Sequence, residues 1–460
     1  MRHRLISGLL TGLFLSPICG AEFQVNTRTS NDQRNPTIAM SGDGSFVVVW
    51  SSYGQDGSSN GIFAQRFDPD CKAVNKEIQV NTASSGNQAE PAVAMDAAAG
   101  FVVCWQGPGL VDGADEDIFA QRFDPNGSPA GSELRVNSYS PDAQLYPSAA
   151  LTGDGACIIV WESTNFPEAG SKAICGQLYD SNGVECGAEF VVDGGASVYR
   201  YADVAADANG NFAVVWMQDK SSNSILGRLF KADGSAASDT FVVSTIRFSS
   251  VTRPAIAMNA AGYFVVVWDG DPELAGRDDI HARLFDPNGT PLGEQFIVNT
   301  TVDGAQQYPH VAMSGRGEFV IVWESRVDPN DAGGRDIFGQ RFTSLGEPLG
   351  DEFCINTFIE GDQRYAAVAM REDGRFVTVW QSDGQDGSGY GIFADAGPKV
   401  GSADFNHDGA VDFRDYSVLA EEWLENKKPL TADLIDDNQI NEKDLAEFCR
   451  QWLSQQESAI

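Results

Sequence analysis

The chain has 460 residues, 65 acidic against 31 basic, with a formal charge of −34 and a pI near 4.3. That balance excludes nucleic acid as a partner, because phosphate needs a basic footprint, and it excludes electrostatic docking on anionic lipid. Forty-eight glycines point to many tight turns, and beyond the N-terminus no stretch nears the ~20 apolar residues of a membrane span.

Residues 1–21 read as a secretory signal peptide. Arg2 and Arg4 precede an apolar run from Leu5 to about Ile18, and Cys19-Gly20-Ala21 supplies a small-residue exit. The expected location is therefore secreted or cell-surface. Of eight cysteines, Cys19 leaves with this segment and seven remain, an odd and scattered set that does not make a disulfide framework. Cys71 and Cys186 lie near turns, Cys104, Cys157, Cys175 and Cys354 take apolar strand positions, and Cys449 falls in a C-terminal helical pattern.

Residues 22–397 are dominated by repetition. Tryptophans at 50, 105, 161, 216, 268, 323 and 380 each end an apolar run such as FVVVW, CIIVW or FVIVW, at spacings of 52 to 57 residues. A small apolar strand (PTIAM, PAVAM, PHVAM) lies ahead of each. A polar loop, then IFAQRFD or a variant, then a turn such as DPNG, then an FxVNT segment follow. Four short strands in a unit of this length, seven times over, predict an all-β, seven-bladed β-propeller with four-stranded blades. The tryptophans are expected to pack between blades, and the Ala-rich strand (Ala39, Ala94, Ala149, Ala257, Ala312) to line the crowded axis.

The FxVNT segments are expected to be outer-edge strands, since the Asn126-Gly127 turn makes IFAQRFDPNGSPAGSELRVN a hairpin. The seventh unit stops at GIFADAGPKV without one, while the chain begins on EFQVNT at 22–27. The N-terminal segment is therefore expected to close the ring by pairing into the last blade, which removes an exposed sheet edge. Short turns fall on one face. The longer loops after each tryptophan fall on the other, with the links carrying Gln33, Gln88, Gln144, Gln306 and Gln363, and binding is expected on that long-loop face.

No catalytic constellation is evident. His281 and His310 stand in separate blades, so no Ser/His/Asp or metal-binding histidine cluster is read. Glu162 and Glu324, which each follow a blade tryptophan, stand three blades apart as the only carboxylates singled out for glycosidase chemistry. The units resemble the EFQVNT…GDQ…FVV.W…AQRFD repeats of large secreted bacterial surface proteins over roughly residues 22–397, most loosely in the fourth blade. That resemblance implies export and architecture, not an activity.

After a short linker at 398–401 the pattern changes. DFNHDGAVDFRD at 404–415 places Asp404, Asn406, Asp408, Asp412 and Asp415 at positions 1, 3, 5, 9 and 12 of a calcium loop, with the Ala410 carbonyl at 7 and Gly409 at the sharp turn. A second loop, DLIDDNQINEKD, holds Asp433, Asp437, Gln439, Asn441 and Asp444 at positions 1, 5, 7, 9 and 12. Ile435 at position 3 gives no side-chain oxygen, so this site is expected to be the weaker. A helical pattern follows each loop, with Trp423 and Trp452 on its apolar stripe. Two loop-helix copies over about 402–456, before a tail at 457–460, resemble a type I dockerin. The resemblance implies a small all-α, Ca2+-loaded module that docks on a cohesin-like scaffold or surface protein. Selectivity in such modules is read at loop positions 10 and 11, here Phe413-Arg414 and Glu442-Lys443.

The leading functional reading is a secreted, non-catalytic binding or display protein whose propeller recognises a glycan or a surface protein. The alternative is a polysaccharide hydrolase or lyase with a propeller catalytic domain, assembled with other degrading enzymes through the C-terminal module.

Overall fold

The structure is a computed structural model that describes residues 22–397 apart from 110–114, 139–141, 165–170, 196, 220–222, 246–252, 272–277, 303 and 327–333. The expected signal segment, the linker and both calcium loops, Asp404 to Asp415 and Asp433 to Asp444, lie outside the described residues.

Seven four-stranded antiparallel sheets form the propeller, and the described residues contain no helix. The first blade shows the plan, with strands Gln33–Met40, Phe46–Tyr53, Asn60–Phe67 and Ala73–Gln79 running from axis to rim. Its second strand is buried on both faces and carries no alternation, because neighbouring blades cover both sides. All seven blade tryptophans are at most 1% exposed, so they are the packing between blades.

The ring closes as the repeat predicts. Phe23 and Gln24 pair antiparallel with Ala394 and Phe393, and this strand is the outermost of the seventh sheet. The VNT signature has a specific task here. Where the outer strand peels away, its asparagine replaces the lost ladder contact: Asn26 Oδ1 accepts the Ile392 N–H at 2.7 Å, as Asn81 does for Ile62 and Asn299 for Ile280. The threonine then reaches the next blade. Thr357 donates through its N–H and its hydroxyl to Glu22 at 2.6 and 2.7 Å, and Thr27 gives the same pair to Glu77. Matching staples join Thr82 to Glu133, Ser138 to Glu189, Thr245 to Gln295 and Thr300 to Glu352. The segment at 22–27 thus fits between the sixth and first blades as its relatives fit elsewhere.

Three expectations change. The five glutamines, read as part of the links, are all at most 2% exposed; Gln33, Gln144, Gln306 and Gln363 begin innermost strands and Gln88 stands just before one. Gln144, Gln306 and Gln363 accept the indole N–H of Trp161, Trp323 and Trp380 at 3.0, 3.0 and 3.1 Å. A buried indole donor needs an acceptor, and glutamine supplies it. Two long loops also prove to be braces: Gln55 donates to Glu77 at 2.8 Å and Gln385 to Glu22, clamping the carboxylates that receive the threonines. Finally, Cys354 is exposed, as is Cys186, whereas Cys71, Cys104, Cys157 and Cys175 are buried.

Candidate functional site

Six of the seven innermost strands break their register near the start. In the first blade the pairing Arg34 with Ser51 resumes only at Thr37 with Val49, and the same gap recurs in blades two, three, four, six and seven. The residue in each bulge is left-handed and is not glycine: Asn35 (φ 53°), Glu90 (49°), Tyr146 (50°), Tyr201 (52°), Tyr308 (53°) and Tyr365 (52°). Such a backbone costs on the order of 1–3 kcal/mol per residue and persists only when neighbours enforce it. At three of the six, the enforcer is the residue after the tryptophan of the adjacent blade. Gln381 accepts the Asn35 N–H at 2.9 Å, Gln106 that of Tyr146 at 3.0 Å, and Glu324 that of Tyr365 at 2.7 Å.

Together with Arg253, these side chains surround the axial cavity of about 350 Å³ at the long-loop end of the innermost strands. All are half-buried. The tyrosines pair, Tyr146 with Tyr201 at 5.0 Å and Tyr308 with Tyr365 at 5.2 Å between ring centroids. The Arg253 guanidinium lies over Tyr201 at 4.5 Å and Tyr146 at 5.3 Å, and its Nη1 meets Glu90 at 3.6 Å. Arg364 lies over Tyr365 at 4.9 Å. Asn35 donates to Glu90 at 2.9 Å, completing a mixed aromatic, amide and charged rim. Burial pushes the Tyr146 and Tyr308 phenols up from their ordinary range, so both stay protonated as hydrogen-bond donors.

Of the two glutamates singled out from sequence, Glu324 serves this scaffold. Glu324 is fully buried and pairs with Arg364 at 3.2 Å and Arg335 at 3.5 Å while holding the Tyr365 N–H. Glu162 is 2% exposed and meets Lys172 at 3.6 Å. Burial raises both carboxyls, opposed by the adjacent cations. The structure also revises the reading of the histidines. His281 packs on Trp268, but His310 lines the cavity with Ser148 and Asp203 from two other blades. The three are not arranged as nucleophile and base. Ser148 donates to Asp203 at 2.6 Å, Asp203 also accepts the Ile256 N–H at 2.9 Å, and His310 Nδ1 accepts the Val368 N–H at 3.3 Å. Burial lowers the His310 pKa against the opposing pull of Asp203.

Sequence reasoning passed over the tyrosine rim. The available signal was the residue before each conserved-looking proline or alanine of the repeat, which reads Asn, Glu, Tyr, Tyr, Arg, Tyr and Tyr from blade to blade while its surroundings stay constant.

No protein-family model matches the chain, and no curated protein matches it. Among solved structures, an ulvan lyase described as a new family of polysaccharide lyase matches with a TM-score of 0.54 at 10% identity, over 81% of this chain and 95% of its own. A protein of unknown function from Dyadobacter fermentans matches at 0.47 and 10%, over 81% and 96% of the two chains. An α-L-arabinanase from Penicillium chrysogenum matches at 0.46 and 12%, over 67% and 93%. At 10% identity the likeness to the ulvan lyase is one of fold alone.

Proposed function

We propose that the propeller is a non-catalytic glycan-binding module whose site is the tyrosine rim of the axial cavity, and that residues 402–456 tether it to a cohesin-like partner outside the cell. One observation carries the reading: four tyrosines, an arginine, an asparagine and a glutamate sit at equivalent positions around one opening. Sugar rings present C–H faces that pack on aromatic rings, and hydroxyls that amide, carboxylate and guanidinium groups bond. The rim offers both kinds of contact on backbone held rigid by the neighbouring blades. Glu324, held by Arg364, Arg335 and the Tyr365 N–H, is committed to the scaffold, which favours binding over acid–base chemistry at that carboxylate.

Tethering rests on the calcium loops. Asp404, Asn406, Asp408, the Ala410 carbonyl, Asp412 and Asp415 form a hard-oxygen donor set suited to Ca2+, with Asp433, Asp437, Gln439, Asn441 and Asp444 as the weaker copy. Folding of that module is coupled to its metal, whereas the propeller has its own core.

A glycan array probed with the full chain, with product analysis of every hit, is the test. Binding without product is expected, and Tyr201→Ala and Tyr308→Ala should each weaken a hit at least about tenfold. Chelation should abolish capture by a cohesin and spare the glycan. Accumulating product, or rim variants that bind like the parent, overturn the glycan assignment.

A further inference from the structure

Away from the axis, five of the blades place two phenylalanines face to face near the short-turn side. The pairs are Phe46 with Phe67, Phe101 with Phe123, Phe212 with Phe230, Phe264 with Phe285 and Phe319 with Phe342, with centroids 4.7–5.0 Å apart and planes within 12°. At four seams the outer strand of the preceding blade adds a third ring, for example Phe23 on Phe67 at 5.5 Å and Phe241 on Phe285 at 5.7 Å.

The seam between the second and third blades departs from this plan at all three positions. Cys157 stands where the first ring should be, Tyr179 replaces the second, and Leu134 takes the place of the third. Two rings are missing. The gap is not filled by collapse: a cavity of about 130 Å³ remains, with Cys157, Leu134, Ile159 and Val102 among its apolar walls and Tyr179 beside them. Tyr179 is 4% exposed, and its hydroxyl is buried without a hydrogen-bond partner. An unmet donor in a tight interior is costly and rare, and it asks for a partner.

We propose that this seam binds a small monocyclic aromatic molecule carrying a hydrogen-bond acceptor, such as an aryl carbonyl compound, whose ring replaces the missing phenylalanine and whose acceptor receives the Tyr179 hydroxyl. The size fits, since an apolar cavity of about 150 Å³ holds benzene in a protein interior. The chemistry fits too. Val102, Ala120, Leu134 and Ile159 give a ring its apolar contacts, Arg122, Ser132 and Asn182 complete the lining, and the Cys157 thiol, pushed up to about 12 by burial, is no nucleophile. The site lies between two blades, separate from the axial cavity, and does not depend on glycan binding.

The test uses the full chain with toluene and benzaldehyde as probes, followed by ligand-observed NMR. Both should bind saturably. Tyr179→Phe should weaken benzaldehyde about fivefold and leave toluene unchanged, as loss of one hydrogen bond predicts. Cys157→Phe and, independently, Leu134→Phe restore rings that other seams already accommodate. Each should abolish binding of both probes and raise the melting temperature. Absence of saturable binding to the parent, or undiminished binding by a folded ring-restoring variant, overturns the site. Equal effects of Tyr179→Phe on the two probes overturn the role of the hydroxyl.

Discussion

The axial mouth and the seams between blades are built from the same repeats and use them in opposite ways. At the seams the backbone and the residues both recur: tryptophan, stacked phenylalanines, and a threonine stapled to a glutamate or glutamine. At the mouth the strained backbone recurs while its side chain changes from blade to blade. Constancy across repeats therefore marks packing, and variation on a constant backbone marks recognition. The cavity between the second and third blades follows the same rule, because it lies at a seam where two of the recurring rings are replaced.

The sharpest way to break this contrast is to remove a seam element altogether. Deleting residues 22–27 takes away the outer strand of the seventh blade, the buried Val25 and the Glu22 and Thr27 staples at once. The melting temperature should fall by about ten degrees or more. An unchanged thermal scan would end the closure account. Next in size is Glu324→Ala, which strands Arg364 and the Tyr365 N–H in a buried site and should cost about 3 kcal/mol in denaturant unfolding. Because Glu324 supports the rim from a seam, the same variant should also weaken glycan binding. Stability loss with intact binding would show that the rim does not depend on the seam.

A smaller effect concerns Asp395, which occupies the place of Gln65, Gln121, Gln177 and Gln340 in other blades. Burial, with Glu22 nearby, pushes its carboxyl up to about 6 against the favourable Gly397 N–H. The folded chain thus retains a proton that the unfolded chain releases near pH 4. Stability from this group is full below that pH and is lost as pH rises through about 6. Asp395→Gln should stabilise the chain by about 2 kcal/mol at pH 8 and hardly at all at pH 4, read from urea midpoints at both. The smallest change is expected at the rim: Tyr201→Gly relieves a left-handed tyrosine and should gain about 1 kcal/mol while binding falls. A destabilised glycine variant would show that the rim is packing after all.

Blade number, strand order and circular closure were legible because they follow from period and from the orphaned EFQVNT, both properties of the linear sequence. The buried glutamines were misread because an amide near a loop looks solvent-facing until the indole beneath it is placed. The rim was harder to see. A left-handed tyrosine contradicts local preference, and the neighbouring blade, through Gln106 at Tyr146 or Glu324 at Tyr365, enforces it. His310, Ser148 and Asp203 share a cavity for the same reason: the axis gathers residues that lie far apart in sequence.

Closure by the first strand also puts an order into time. Six blades complete themselves from local hairpins, but Gln24 meets Phe393 across about 370 residues of chain. Closing a loop of that length costs about 5 kcal/mol of chain entropy beyond a constant, and little repays it until the other six blades have shortened the path. The circle should therefore be the last thing to form, with the Val25 and Ile392 amides gaining protection after all others in pulse-labelled hydrogen exchange. Until then, a finished sheet edge on the seventh blade waits for a strand that was synthesised first.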